Sequence, residues 1–309
     1  MSRATEDKII WQNGEFKKTS EAMISVLSHS LHYGSAVFEG TRVYETPKGA
    51  AVFRLDDHIR RLYYSAGVLG MELPFEPEDI RNHTIELIQK NDYQSCYLRH
   101  LCYYGFGNLR VMPNEVPIEM AIAAWPWGTY LSDKPINLKV SDYIRIHHRS
   151  TVPDAKIAGH YVNCILSGLT LRGTHYQEAL FLDADDNVSE VGSANFFIVK
   201  DKKIYTPPLG TILAGITRNT IIELARKLGY EVFETDISVQ DVYDADESFL
   251  TGTAAEVTLV GTLDDKLIGV EDQHPVALEL RKAYMDIVEG KDPEFEHYLT
   301  YVNEVAVEN

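Results

Sequence analysis

The sequence predicts an α/β fold of the α+β type in two domains: a smaller N-terminal α+β domain and a larger, strand-rich C-terminal domain. Three observations carry this. The chain has 309 residues, and a single core rarely grows past about 250–300. Hydrophobic residues make up 45% and charged residues 24%, the ordinary balance of a globular chain rather than a disordered one. Helical and strand periods alternate in the first half, whereas short β-rich runs between turn signals dominate the second. Pro126-Trp127-Gly128 through Pro135 interrupts both periods. The expected division is therefore 1–125, an interdomain loop over 126–135, and 136–309.

The elements follow in order. Ile9-Ile10-Trp11 and Glu15-Phe16 flank Asn13-Gly14, a hairpin turn that takes positive φ. Ala51-Val52-Phe53-Arg54 reads as a short strand. Asp56 or Asp57 then caps a helix with Ile59, Leu62, Ala66 and Leu69 on its apolar face, ended by Gly70. Residues 80–90 form a second amphipathic helix stopped by Asn91-Asp92. Residues 96–104 and 118–125 have the aromatic and β-branched content of strands, and 161–171 is a helix-like run. In the second half, strands over 177–183 and 193–200 flank the turn Asp185-Asp186-Asn187. Asp201-Lys202-Lys203 leads into the strand Ile204-Tyr205-Thr206. Thr217 starts a helix bearing Ile221, Leu224, Ala225 and Leu228, with Gly229 as its stop. Ser238 and Asp241 have capping-box spacing. A late hairpin over 256–260 and 266–269 and a helix over 276–288 complete the pattern.

Charge and composition exclude several classes of function. Lys and Arg total 29 against 46 Asp and Glu, a net charge of −17, which repels phosphate backbones and argues against a nucleic-acid partner. No apolar run reaches the roughly 18–20 residues of a membrane span; the run over 121–127 is broken by Pro126. Met1 to Trp11 lacks the apolar stretch of a secretory signal. Cys96, Cys102 and Cys164 form neither a CxxC pair nor an even-numbered framework. The expectation is a cytoplasmic protein with reduced thiols. His29 with His32, and His147 with His148, lack further ligands nearby, so no metal site is expected. Walker, HExxH and GxGxxG patterns are absent; Gly105-Phe106-Gly107 is the nearest fragment.

Most of the 15 lysines sit beside charged or turn residues, but Lys156 lies among Ala155, Ile157, Ala158 and Gly159. A lysine desolvated by small apolar neighbours has a lowered pKa and a nucleophilic amine, as Schiff-base chemistry needs; a lysine snorkelling from a loop edge fits the same neighbours. Leu213-Ala214-Gly215-Ile216-Thr217-Arg218 offers amides and a hydroxyl to an anion at a helix start, or simply a threonine cap. Thr251-Gly252-Thr253-Ala254-Ala255-Glu256, after the strand Ser248-Phe249-Leu250, is a second anion-accepting turn, or a plain turn.

Each signal alone is weak, and their order is informative. Lys156, Glu190 after a strand, Gly215-Ile216-Thr217, then Gly252-Thr253-Ala254-Ala255 resembles the motif order of the fold-type-IV pyridoxal-phosphate enzymes. Ser28-His29-Ser30-Leu31-His32-Tyr33-Gly34, Val37-Phe38-Glu39-Gly40, Tyr97-Leu98-Arg99, Pro126-Trp127-Gly128-Thr129-Tyr130 and Lys156-Ile157-Ala158-Gly159-His160-Tyr161 extend the similarity from about Trp11 to Gly269. The chain most resembles the branched-chain amino acid aminotransferases of that group.

The resemblance implies pyridoxal 5'-phosphate as cofactor, with Lys156 holding it through its amine and then moving the substrate proton. It implies Glu190 against the pyridine nitrogen, Tyr161 near the ring hydroxyl, and Arg61, Ile216, Thr217 and Thr253 around the phosphate, with Leu213, Gly215 and Gly252 shaping that site. Periodicity alone puts Arg60 and Arg61 at the surface beside Asp56 and Asp57; only the family match selects Arg61. Tyr97 with the amides of Thr253 and Ala254 would receive the α-carboxylate, Arg99 the distal carboxylate of glutamate, and Tyr33, Phe38 and Tyr130 would wall an apolar pocket. The implied reaction moves the amino group of L-leucine, L-isoleucine or L-valine to 2-oxoglutarate. The implied assembly is a homodimer or an assembly of dimers, with small amino and 2-oxo acids as partners. D-amino-acid transaminases, (R)-selective amine transaminases and 4-amino-4-deoxychorismate lyases are the related alternatives. Two departures from the pattern stand out: Ser193-Ala194-Asn195 where branched-chain members often have Gly-Glu-Asn, and a loop over 105–116 without the usual glycine-rich ending.

Overall fold

The computed structural model describes residues 8–128, 134–271 and 273–303. Its first elements are β1 (Ile9–Gln12), β2 (Glu15–Lys18), α1 (His29–Tyr33), β3 (Ala36–Thr46), β4 (Gly49–Phe53), α2 (Leu55–Val68), α3 (Pro77–Asn91), β5 (Cys96–Tyr104) and β6 (Ile118–Trp125). There follow β7 (Ile136–Val140), α4 (Val162–Thr170), β8 (Glu178–Leu182), β9 (Val188–Val191), β10 (Asn195–Lys200) and β11 (Lys203–Thr206). The last are α5 (Ile216–Lys227), β12 (Val232–Glu234), α6 (Val239–Tyr243), β13 (Glu247–Gly252), β14 (Glu256–Leu263), β15 (Lys266–Leu267), α7 (Pro275–Val288) and β16 (Leu299–Tyr301). Among the described residues no helix is long and apolar enough to cross a membrane.

Two units result. The first comprises described residues 8–128, 155–159 and 287–303, the second 134–154, 160–271 and 273–286. The sequence suggests one cut near 126–135, but two later segments pack with the first unit because its sheet has places for them. Antiparallel β16 adds to β4. Ala155–Gly159 reaches the start of β3, where Val37 bridges Ile157.

In the first unit seven antiparallel strands run β16-β4-β3-β5-β6-β1-β2. The Asn13-Gly14 turn sets Trp11 opposite Phe16. β3 carries both residue sets of interest, because alternate residues of a strand point to opposite faces. Phe38 and Gly40 share one face and Glu39 and Thr41 the other. α2 buries Ile59, Leu62 and Ala66 in the core of this unit. Asp56 and Asp57 do not cap it as expected. Arg54 occupies the cap position at φ 51, and Asp57 instead pairs with Arg54 at 2.5 Å and Arg60 at 2.6 Å.

In the second unit, β10, β13, β14, β7, β8 and β9 pair in that order, and Asn195 opposite Glu190 joins β9 back to β10. The strands thus close on themselves around a core that includes Leu138, Leu180, Val191, Phe196, Leu250 and Val260. β9 corrects the sequence reading, which puts Glu190 after a strand; Glu190 lies within one. α5 starts at Ile216, with Gly215 rather than Thr217 at the cap and no side chain of the cap residue bonding its first turn. Thr251 and Gly252 belong to β13, leaving Thr253, Ala254 and Ala255 in the turn to β14.

Candidate active site

The predicted residues fall into two sets, one in each unit. In the first unit β4 pairs with β3 only over residues 43–46, so the edge beside Phe38 accepts the lysine segment. The Phe38 amide donates to the Lys156 carbonyl at 3.1 Å, and the Lys156 amide donates to Ser65 Oγ on α2 at 2.9 Å. Lys156 Nζ stands 5.0 Å from the centre of the Phe38 ring. Burial, with the Arg61 charge acting in the same direction and Glu39 against it, brings the amine down to about 8. A usable fraction of it is then neutral near physiological pH.

Arg61 is not a surface residue. Its side chain is 12% exposed, against 75% for Arg60. It donates to both oxygens of Glu39, from Nε at 2.5 Å and Nη2 at 2.9 Å. His58 Nδ1 meets Glu39 Oε2 at 2.7 Å. Burial works against the Glu39 charge, but Arg61 and His58 overcome it and hold the carboxyl well below the usual carboxylate range. Burial pushes His58 the other way from protonation, down from its ordinary value.

On the opposite face of β3, register places Arg99 across from Gly40 and Tyr97 across from Arg42. A Cβ on Gly40 would overlap the Tyr97 hydroxyl, so this glycine lets the tyrosine lie flat over the strand. Tyr97 stacks on Trp127, with ring centroids 4.7 Å apart. The Arg99 guanidinium sits 4.6 Å from the Phe38 ring centre and 5.6 Å from that of Tyr97. Its Nε is buried without a hydrogen-bond partner among the described residues. Tyr33 lies apart in α1, 45% exposed, its hydroxyl donating to the Leu109 carbonyl. Tyr130 lies outside the described residues.

In the second unit Glu190 is 4% exposed. Its Oε1 is 2.7 Å from Nε of buried Arg145, its Oε2 accepts from Asn195 Nδ2 at 2.9 Å, and the Leu213 amide straddles both oxygens at 3.3 and 3.2 Å. Burial disfavours the Arg145 cation, but Glu190 more than restores it, so its pKa rises above the ordinary value. Asn195 Nδ2 also donates to the Leu213 carbonyl. A Cβ on Gly215 would strike Asn195 Oδ1, so Asn195, Leu213 and Gly215 form one clasp leading into the first turn of α5, where Ile216 and buried Thr217 lie. Gly252 backs onto the Ser193 carbonyl, beside the turn that holds Thr253 and Ala254. Tyr161 leads into α4 and bears electrostatically on Arg145.

Sequence reasoning assigns no role to Glu39, His58, Arg145 or Asn195. A charged residue inside Val37-Phe38-Glu39-Gly40, and an arginine between Ile144 and Ile146, are signals of buried charge that could have found two of them.

With this geometry in view, the similarities of the chain to known proteins are specific. Residues 36–262 match the family described as amino-transferase class IV. The chain is 39% identical over 306 residues to the branched-chain-amino-acid aminotransferase of Pseudomonas aeruginosa, covering 98% of this chain and all of that one. The T.th. branched-chain amino acid aminotransferase, complexed with N-(5'-phosphopyridoxyl)-L-glutamate, superposes with a TM-score of 0.93 at 45% identity, covering 96% of this chain and 99% of that one. The PLP-form of the Thermobaculum terrenum enzyme gives 0.90 at 32% identity over 96% and 99%. The chain belongs to the class IV aminotransferases, with the two-domain architecture of fold-type-IV pyridoxal-phosphate enzymes, and within them to the branched-chain-amino-acid aminotransferases.

Proposed function

We propose that the protein transfers the amino group of L-leucine, L-isoleucine or L-valine to 2-oxoglutarate in a ping-pong cycle, with pyridoxal 5'-phosphate bound at Lys156. The observation that carries this reading is the Lys156 amine, brought down to about 8, near an arginine, Arg99, whose buried Nε lacks a partner among the described residues. The residues present fit the cofactor. Arg145 Nη1 and Thr251 Oγ1 are buried donors without partners among the described residues. The cap residue of α5 is Gly215, which leaves room for Asn195 Oδ1 against the backbone, and the potential at a helix N-terminus favours a phosphate.

Bound there, pyridoxal phosphate supplies an electron-withdrawing ring that takes up the electrons left by the departing α-proton. Lys156 would hold the cofactor through its amine, and that amine, once freed, would take up and return the substrate's α-proton. Glu190 keeps the pyridine nitrogen protonated, and Arg145 and Asn195 hold Glu190 in position. Arg61, Ile216, Thr217 and Thr253 would bind the phosphate, with Leu213, Gly215 and Gly252 shaping that site. Tyr161 steadies the ring hydroxyl. Tyr97 and the amides of Thr253 and Ala254 receive the α-carboxylate. Phe38 walls the side-chain pocket, and Arg99 meets the second carboxylate of glutamate. Stacked on aromatic faces, Arg99 keeps an apolar flank for leucine while its donors remain available to an acid.

A homodimer or an assembly of dimers is part of the same reading. Met23, Val26, Val111 and Met112 are between 69% and 78% exposed. Their two segments are tied together by Ser28 bridging Phe106 and by His29 Nε2 at 3.0 Å from the Arg110 carbonyl. An ordered apolar patch of this kind suits a second copy. Free Cys96, Cys102 and Cys164 support a cytoplasmic setting. A panel of amino donors against 2-oxoglutarate tests the function. Turnover should be highest with the three branched L-amino acids; activity confined to D-amino acids or (R)-amines would overturn the reading.

A further inference from the structure

Lys156 is held at two points, and each hold sits beside a charge. Phe38, which bonds the Lys156 carbonyl, is followed on β3 by Glu39. Ser65, which bonds the Lys156 amide, lies one turn beyond Arg61 on α2. The acid and the base are themselves joined by two hydrogen bonds, at 2.5 and 2.9 Å. We propose that Glu39 is a positioning residue: it fixes the Arg61 guanidinium and offsets much of its charge at the Lys156 amine, so that a phosphate-binding cation can stand beside the reacting lysine with its repulsion of the proton reduced.

The charges facing Lys156 support this. After burial, Arg61 is the strongest influence toward loss of the proton, and Glu39 is the next and opposes it. From β5, Tyr97 favours the proton and Arg99 disfavours it, both more weakly. Behind Glu39, His58 is pushed toward its neutral form, first by burial and also by the Arg61 and Lys156 charges. It therefore serves Glu39 as a hydrogen-bond partner and brings no full charge of its own. A carboxylate whose two oxygens are both engaged by Arg61 has little geometric freedom to shift, so the compensation is built in.

The inference rests on Lys156 being the reacting amine. The test uses the full-length protein freed of cofactor and labels lysines reductively with pyridoxal, which lacks the phosphate. Mass spectrometry of the Lys156 peptide then gives the pH midpoint of labelling. Glu39→Gln should move that midpoint down by about one pH unit, and Arg61→Gln should move it up by a similar amount. The double variant should return close to the wild-type midpoint, and Glu39→Asp, which keeps the charge, should stay there. If Glu39→Gln does not fold, the Arg61→Gln and double variants carry the test. An unmoved or raised midpoint in Glu39→Gln, or a double variant displaced from wild type as far as Arg61→Gln, would overturn the proposal. Labelling that misses Lys156 altogether would overturn the reading on which it rests.

Discussion

Glu39 and Glu190 are both buried glutamates with an arginine within 2.7 Å, yet their partners differ in kind. Glu39 in the first unit is enclosed by ring and guanidinium donors from Arg61 and His58. Glu190 in the second unit is met by Arg145 and by neutral donors that include the Asn195 amide and the Leu213 backbone. A carboxylate saturated by strong donors is spent on holding its partners. Glu190 instead takes one cation together with neutral amides, at 2.9 Å from Asn195 and 3.2 and 3.3 Å from Leu213. In the proposed function, the same residue type serves in the first unit as an anchor and in the second as the group that meets the cofactor.

The largest expected effects test that contrast. Glu39→Gln should destabilise the protein by about 3 kcal/mol in denaturant unfolding, because Arg61 loses its buried counter-charge. Glu190→Gln should cost only about 1 kcal/mol of stability but slow single-turnover proton abstraction from leucine by about 100-fold. Equal stability losses with unchanged chemistry in Glu190→Gln would make both glutamates structural.

Arg99→Leu should lower kcat/KM for glutamate by about 2–4 kcal/mol, and for leucine by a fraction of that, when each half-reaction is measured alone. Equal losses would mean that Arg99 serves both substrates alike. Arg61→Ala should weaken equilibrium cofactor binding by about 1.5–3 kcal/mol. Arg60→Ala, on the exposed side of the same helix, should change it by less than about 0.5 kcal/mol.

The smallest effect concerns Glu178, which faces a cavity of about 470 Å³ lined also by Tyr161, Cys164, Gly192 and Ser193. Burial pushes its carboxyl up to about 7, so the folded protein holds an extra proton between the ordinary carboxylate value and pH 7. Stability should therefore fall as pH rises through that window. Glu178→Gln should remove that slope and leave the variant more stable above pH 7 by about 1–2 kcal/mol. Parallel pH profiles for the two proteins would refute the assignment.

How much was legible in the sequence follows the same physics. β5 and β6 match their expected bounds because nothing breaks their aromatic and β-branched runs. β3 carries Glu39, Gly40 and Arg42 within eleven residues, so its alternation is masked by the groups that make it functional. β9 is four residues long, too short for a period to show. Lys156 stands out because its neighbours are small and apolar. Arg61 cannot, because its partner lies 22 positions away on β3, and helical periodicity sees only three or four. Arg145 and Asn195 escape for a similar reason: their importance lies in meeting Glu190, from the loop after β7 for Arg145 and across the β9–β10 pairing for Asn195.

The most direct measurement is the visible spectrum of the protein loaded with pyridoxal phosphate, before and after L-leucine, for the wild type and Lys156→Ala. The wild type should show the band of lysine-bound cofactor, lose it on adding L-leucine and regain it with 2-oxoglutarate. Lys156→Ala should lack the band and turn over at least about 10³-fold more slowly. A wild-type band indifferent to L-leucine, or a Lys156→Ala protein that keeps the band and cycles normally, would contradict the assignment of Lys156 and the aminotransferase mechanism built on it.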